Sequence, residues 1–213
     1  FILNEIFHKN FKSYTFHNLY KELLSFCTVD LSAFYFDIRK DSLYCDPINS
    51  TKRKSCTLVL NIILECLLKW FAPILSFTTE EIFSLVKKNN DSIHLRKFVK
   101  IPQNWKNDKL SEKWNNLIRI RDNCNISIEN KRAEKIIGSS LEAKLKIKVK
   151  NNLYNISKDV DFSEICITSS ADLIKDENIL EEIEVETLKA EGNKCNICWK
   201  IKHKKCERLN CPI

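Results

Sequence analysis

Glycine and proline are scarce in this chain, with 2 and 4 among 213 residues. Their shortage excludes long flexible linkers and leaves mostly regular structure. It also excludes a glycine-rich phosphate loop. No nucleophile stands with a matching base, so the residues offer no catalytic constellation. The opening, Phe1 to Asn10, lacks a basic start, an apolar run and a small-residue cleavage site, and is no secretory signal. A long uninterrupted apolar run is missing too. Cys56 to Phe71 is the nearest approach, but Asn61, Glu65 and Lys69 break it, and a membrane span needs about 20 mostly apolar residues. The chain does not begin with Met and opens on a helical pattern, so it reads as a segment of something longer. No internal repeat is visible.

What is present fits a globular protein of one or two domains, 44% hydrophobic and 30% charged. The net charge of +7 allows a polyanionic partner without demanding one. The ten cysteines are unevenly spread. Cys27, Cys45, Cys56, Cys66, Cys124 and Cys166 stand apart, and Cys27, Cys56 and Cys66 fall in apolar helical patterns where a free thiol acts as a small hydrophobe. Cys195, Cys198, Cys206 and Cys211 are clustered. Without a secretory signal a reducing cytoplasm is the expected setting, which favours metal over disulfide for the cluster.

Phe16 to about Lys40 reads as a spine helix. Phe16, Leu19, Tyr20, Leu23, Leu24, Cys27, Leu31, Phe34, Tyr35 and Ile38 form its main apolar face, and Phe26, Val29, Ala33 and Phe36 form a second strip. Thr15 is its candidate N-cap. A helix from Ser50 or Thr51 to Phe71 carries one polar stripe, with Glu65 and Lys69 in the favourable i, i+4 order, and Pro73 stops it. Thr78 and Glu81 make a capping-box signature for a short helix to about Val86. The connector that follows holds His94, read as a surface histidine. Ser111 to Lys135 predicts a basic helix with Trp114, Leu117, Ile118, Cys124, Ile128 and Ala133 as core positions and Gly138 as its stop. Lys144 to Lys150 alternates as a half-buried strand with a lysine-lined outer face. Ile165–Ser169 and Ile183–Leu188 also read as strands.

The end of the chain carries the sharpest pattern. Cys195 and Cys198 form C-x2-C, a spacing that aims two thiolates at one ion, and Cys206 and Cys211 follow as C-x4-C. Four thiolates suit one structural Zn²⁺, which would supply the folding energy that so short a region cannot draw from a core. His203 is a substitute ligand. A redox pair would sit at a helix start in a βαβ unit, which is missing here, and a catalytic zinc would need an open position. Lys194, Lys200, Lys202, Lys204, Lys205 and Arg208 surround the cluster, against one acid, Glu207. Trp199 directly follows a cysteine. It either stacks a base of single-stranded RNA, with Lys200, Lys202 and Arg208 on phosphate, or packs under the knuckle as local core.

Three motifs in order carry a resemblance. Phe26 to Asp46, FCTVDLSAFYFDIRKDSLYCD, resembles the anticodon-binding helices of bacterial isoleucyl-tRNA synthetases. Ile136 to Ala143, IIGSSLEA, is similar to the segment that follows there. Gly192-Asn193-Lys194-Cys195…Cys198-Trp199 resembles the family's C-terminal zinc motif, which the related valyl and leucyl enzymes are not expected to carry. One departure stands out: the family usually closes its zinc site with a second C-x2-C after a longer loop.

The resemblance implies a mainly α fold. A helical-bundle anticodon-binding domain with its connector (1–137) is followed by a small α+β region (138–190) and a zinc-binding knuckle (191–213). It implies the C-terminal part of an ATP-dependent isoleucine–tRNA ligase of the cytoplasm, monomeric and away from membranes, partnered by tRNA(Ile) and by its own upstream catalytic and editing domains. ATP and isoleucine would bind in those domains, since HIGH and KMSKS motifs are missing here, and this segment alone would not catalyse. The competing reading is a free-standing zinc-ribbon interaction module.

Overall fold

A computed structural model of the chain describes residues 1–87 and 91–203. Its packing forms two units, Phe1–Lys106 and Asn107 onward. The 1–137 grouping suggested by sequence therefore differs from the packing, which places the long helix after Asn107 with the sheet.

The first unit is helical. It comprises α1 (Ile2–Lys12), α2 (Phe16–Ser25), a π-helical stretch (Phe26–Phe36) leading without a break into α3 (Asp37–Cys45), α4 (Thr51–Phe71) and α5 (Ser76–Lys87). The spine is thus longer than its pattern suggests, ending at Cys45. π winding places i→i+5 partners together, which a 3.6-residue reading does not anticipate. Leu19, Leu23, Leu31 and Ile38 are buried, but Tyr20 and Leu24 of the same expected face are exposed, and Val29, Ala33 and Phe36 of the second strip face outward within this unit. Phe7, Leu19, Leu23, Cys66 and Trp70 make one core, and Phe98 of the connector sets its ring edge-on to Phe7 and Phe11 at 4.9 and 4.8 Å. Each such fully buried large side chain contributes about 1.5–3 kcal/mol.

Local details follow the side chains. Ser50 caps α4 by accepting from the Arg53 amide, and Lys69 donates to Glu65 at 2.7 Å. Thr15 does not cap α2; its hydroxyl donates to Asn10 Oδ1. Nor do Thr78 and Glu81 form a box, because α5 already begins at Ser76. Glu80 is the functional carboxylate there, accepting from Ser92 Oγ and the Ile93 amide, both at 2.9 Å, and so pinning the connector. His94 is exposed. No helix among the described residues is long and apolar enough to cross a membrane.

The second unit begins with α6 (Asp108–Ala133), capped by Asn107, whose side chain accepts from the Leu110 amide. Leu117, Ile120, Cys124 and Ile128 recur every three or four residues and face a sheet of order β2-β1-β3. Ile118 and Ala133, expected in the core, are exposed, and Ile120 is buried in their place. The central strand β1 (Ala143–Val149) runs parallel to β2 (Ser170–Lys175) and antiparallel to β3 (Ile183–Lys189). Ala143, Leu145, Ile147 and Val149 are fully buried, as their alternation requires. Parallel pairing needs a crossover, supplied by α7 (Asn151–Ser157) and α8 (Phe162–Ile165).

Two local expectations change here. The strand expected at Ile165–Ser169 is the end of α8 and a turn through left-handed Ile167 (φ 55°), and β2 begins at Ser170. Gly138 does not stop α6. The helix ends at Glu134 and left-handed Lys135 (φ 58°), while the Glu142 carboxylate accepts from the Gly138 amide.

Candidate metal knuckle and nucleic-acid interface

A short hairpin, β4 (Asn193–Lys194) with β5 (Ile201–Lys202), holds the C-x2-C motif in its loop. Gly192 enters it at φ +124°, and a Cβ there would lie 2.6 Å from the Lys202 carbonyl oxygen, so only glycine admits the two strands at this spacing. The loop closes on itself. The Cys195 amide donates to the Lys200 carbonyl at 2.9 Å, and the Trp199 amide donates to the Cys195 carbonyl at 3.0 Å. The Ile197 amide donates to Cys195 Sγ at 3.4 Å. Trp199 then takes a left-handed backbone, φ 60°, reversing the chain into β5.

This arrangement fits half of a structural thiolate site. An amide aimed at sulfur favours the anionic ligand, and Cys198, 8% exposed, sits where water is largely excluded. Cys206 and Cys211, with Arg208, lie outside the described residues. Among the described residues no group of three His, Cys, Asp or Glu side chains converges on one point, and His203 is exposed.

Trp199 is 61% exposed and lies at the surface of the described residues. The Lys194 ammonium lies over its ring, 5.9 Å from the centroid. Lys200 and Lys202 are half-buried nearby in sequence. Lys194 counts in the sequence only as one more basic residue. Its place at the ring depends on the antiparallel register, Lys194 opposite Ile201, two residues after the tryptophan.

Many of the other basic side chains of this unit have partners within it. Lys144, Lys146 and Lys148 on β1 meet Asp172, Glu186 and Glu184 across the sheet at 3.1, 3.3 and 2.8 Å. Their lysine-lined face is a ladder of ion pairs, and Glu184 raises the Lys148 ammonium above its ordinary pKa. On α6, Arg119 pairs with Glu182, Arg121 donates to the Ile165 carbonyl, Lys131 meets Glu134 and Arg132 meets Glu129. In the first unit a cavity of about 1180 Å³ lies between α4 and the connector, lined by Ile62, Trp70, Phe98 and Trp105 with Arg96 and Lys100 among its polar residues. It has no counterpart in the sequence reading, because its walls come from separate segments, Phe1 and Leu3, Phe26, α4 and the connector.

The chain itself falls into a known class of protein. Residues 2–148 match the family model described as the anticodon-binding domain of tRNA ligase, and the chain belongs to that family. Such a domain is not a catalytic one. The chain is 65% identical over 206 residues to the isoleucine–tRNA ligase of Pelagibacter ubique (strain HTCC1062), covering 97% of this chain and 22% of that protein. It is 38% identical over 208 residues to the isoleucine–tRNA ligase of Agrobacterium fabrum (strain C58), covering 93% and 22%. With that of Caldicellulosiruptor saccharolyticus it shares 39% over 199 residues, covering 90% and 21%. The chain thus spans about a fifth of the length of the curated relatives it matches. The match does not favour a free-standing zinc-ribbon module.

Proposed function

We propose that this chain is the anticodon-recognition segment of an isoleucine–tRNA ligase and binds tRNA(Ile). The observation that carries the reading is the family match over residues 2–148 together with the 65% identity to one such ligase. ATP and isoleucine are handled by other domains of the enzyme, which works as a monomer in the cytoplasm. One structural Zn²⁺ is held by Cys195 and Cys198 with Cys206 and Cys211, His203 being the substitute ligand. Bound there, zinc supplies folding energy to the knuckle and no reaction chemistry. Trp199 offers a face for a base, and Lys200, Lys202 and Arg208 offer charge to phosphate. The exposed indole under Lys194 supports this arrangement.

The test is fluorescence anisotropy of tRNA(Ile) against an unrelated tRNA, with and without chelator, over a salt series. Cognate preference that weakens with salt is expected. Equal affinity for both tRNAs at moderate salt would sink the reading. Cognate binding that survives chelation would move recognition from the knuckle to the helices.

A further inference from the structure

The hydroxyl of Ser169 ties the knuckle hairpin to the sheet. It donates to the Leu141 carbonyl at 2.5 Å and accepts from the Ile201 amide at 2.6 Å. The Ser169 backbone amide donates to the Ala143 carbonyl at 3.0 Å. Leu141 belongs to the turn that leads into β1, Ser169 immediately precedes β2, and Ile201 opens β5. One small side chain thus joins the entries of both parallel strands to the hairpin.

The surroundings leave this hydroxyl little freedom. Left-handed Ile167 turns the chain out of α8, the Thr168 amide donates to the Ser163 carbonyl at 2.9 Å, and Thr168 is fully buried. The hairpin is the opposite case. Its strands are two residues each, too short to set their own angle to the sheet by ladder or core. Ile201 stands two residues after Trp199, and the neighbouring Lys200 carbonyl accepts from Cys195. A shift at Ile201 is therefore carried directly to the indole and to the cysteine loop.

We infer that Ser169 is a positioning residue, holding the Trp199–Lys194 face of the knuckle in the orientation that meets RNA. This rests on the RNA reading above. Replacing Ser169 with alanine leaves the Leu141 carbonyl and the Ile201 amide without this partner in a half-buried place, and an amide left so is costly.

The experiment compares the zinc-loaded wild-type chain with Ser169→Ala, Ser169→Thr, Trp199→Ala and the double variant Ser169→Ala/Trp199→Ala. Zinc content, tRNA(Ile) affinity and amide hydrogen exchange are read on each. Ser169→Ala is expected to keep its zinc and to bind about tenfold more weakly. Exchange should quicken in residues 193–202 and stay slow in β1. Ser169→Thr, which keeps the hydroxyl, should restore most of the affinity. The double variant should bind no more weakly than Trp199→Ala alone, since both changes remove one interaction.

Wild-type affinity in Ser169→Ala, or losses that simply add in the double variant, would overturn the inference. Should the wild-type chain fail to bind RNA, the RNA reading falls and takes the role of this face with it. The exchange data then separate the two failures: protection lost only in the hairpin shows that Ser169 still holds the knuckle, and protection unchanged there shows that it never did.

Discussion

The ammonium of Lys194 rests 5.9 Å from the centre of the Trp199 ring, on an indole that is 61% exposed. A cation over an exposed ring holds it in one attitude and adds charge beside a free face. Trp199→Ala should weaken tRNA(Ile) binding about 5- to 150-fold, the range set by about 1–3 kcal/mol per stacked base. Lys194→Ala should cost only about threefold and lower the salt slope by about one. Anisotropy titrations at several salt concentrations check both, and an unchanged Trp199→Ala affinity would remove the indole from the interface.

Gly192 is the tightest point of the hairpin. Gly192→Ala drives a Cβ to within 2.6 Å of the Lys202 backbone at a φ of +124°. A strained backbone of this kind costs about 1–3 kcal/mol, and here the neighbour is backbone and cannot swing aside. The variant should lose the β4–β5 pairing and bind zinc poorly, while the sheet melts within a few degrees of wild type. Full zinc occupancy with an intact hairpin would contradict the geometry.

The lysines of β1 should matter little to RNA. Each already meets a carboxylate on a neighbouring strand, and exposed pairs of this kind are worth about 0–1 kcal/mol. Lys146→Ala is expected to change tRNA affinity by less than about twofold and stability by less than about 1 kcal/mol. A loss comparable to that of Trp199→Ala would place RNA on the sheet instead.

Cys124 and Cys166 stand far apart in sequence yet meet in the core, 0% and 4% exposed. The hydrogen bond between them, with burial, pushes the Cys124 thiol well above its ordinary pKa. A thiol held neutral and enclosed is inert. Both should resist an alkylating reagent in the native chain and react once it is unfolded, as followed by mass spectrometry. Rapid native labelling of Cys124 would show a core that opens readily.

Glu65 offers a small pH dependence. Its hydrogen bond from Lys69, then the charge of that lysine, hold the carboxyl below its ordinary pKa in spite of partial burial. The resulting stabilisation is fully present above the unfolded carboxylate value and is lost as pH falls through the lowered one. The pair is an exposed i, i+4 contact, so the effect is about 0.3–0.5 kcal/mol. The difference in urea midpoint between wild type and Glu65→Gln should shrink from neutral pH to about pH 3, whereas a constant difference would mean that the charge plays no part.

Several elements of the fold are legible in the residues themselves because their cause is local. The alternation in β1, the start of α4 at Ser50 or Thr51, the Glu65–Lys69 pair and the C-x2-C turn each need only neighbours along the chain. The three ordered motifs likewise point to the anticodon-binding family before any packing is known. Misplaced elements have non-local causes. The π winding from Phe26 to Phe36 has no place in a 3.6-residue template, and which apolar strip of the spine meets a neighbour depends on the packing around it. The sequence also reads a strand at Ile165–Ser169, where apolar and β-branched residues satisfy that pattern but the chain turns at Ile167 to reach its parallel partner.

What the sequence determined by itself is therefore the helical character of the first hundred residues, the strand at β1, the paired cysteines and the family. Tertiary structure decided which charges remain available for a partner. The lysines of β1 and Arg119 and Arg121 of α6 look like phosphate-binding surface in one dimension, but carboxylates and a carbonyl from distant segments meet them on folding. Trp199 could have packed inward on sequence alone. In the folded hairpin Trp199 takes a left-handed backbone after Cys198, and the register that sets Lys194 opposite Ile201 places the exposed indole beside that lysine.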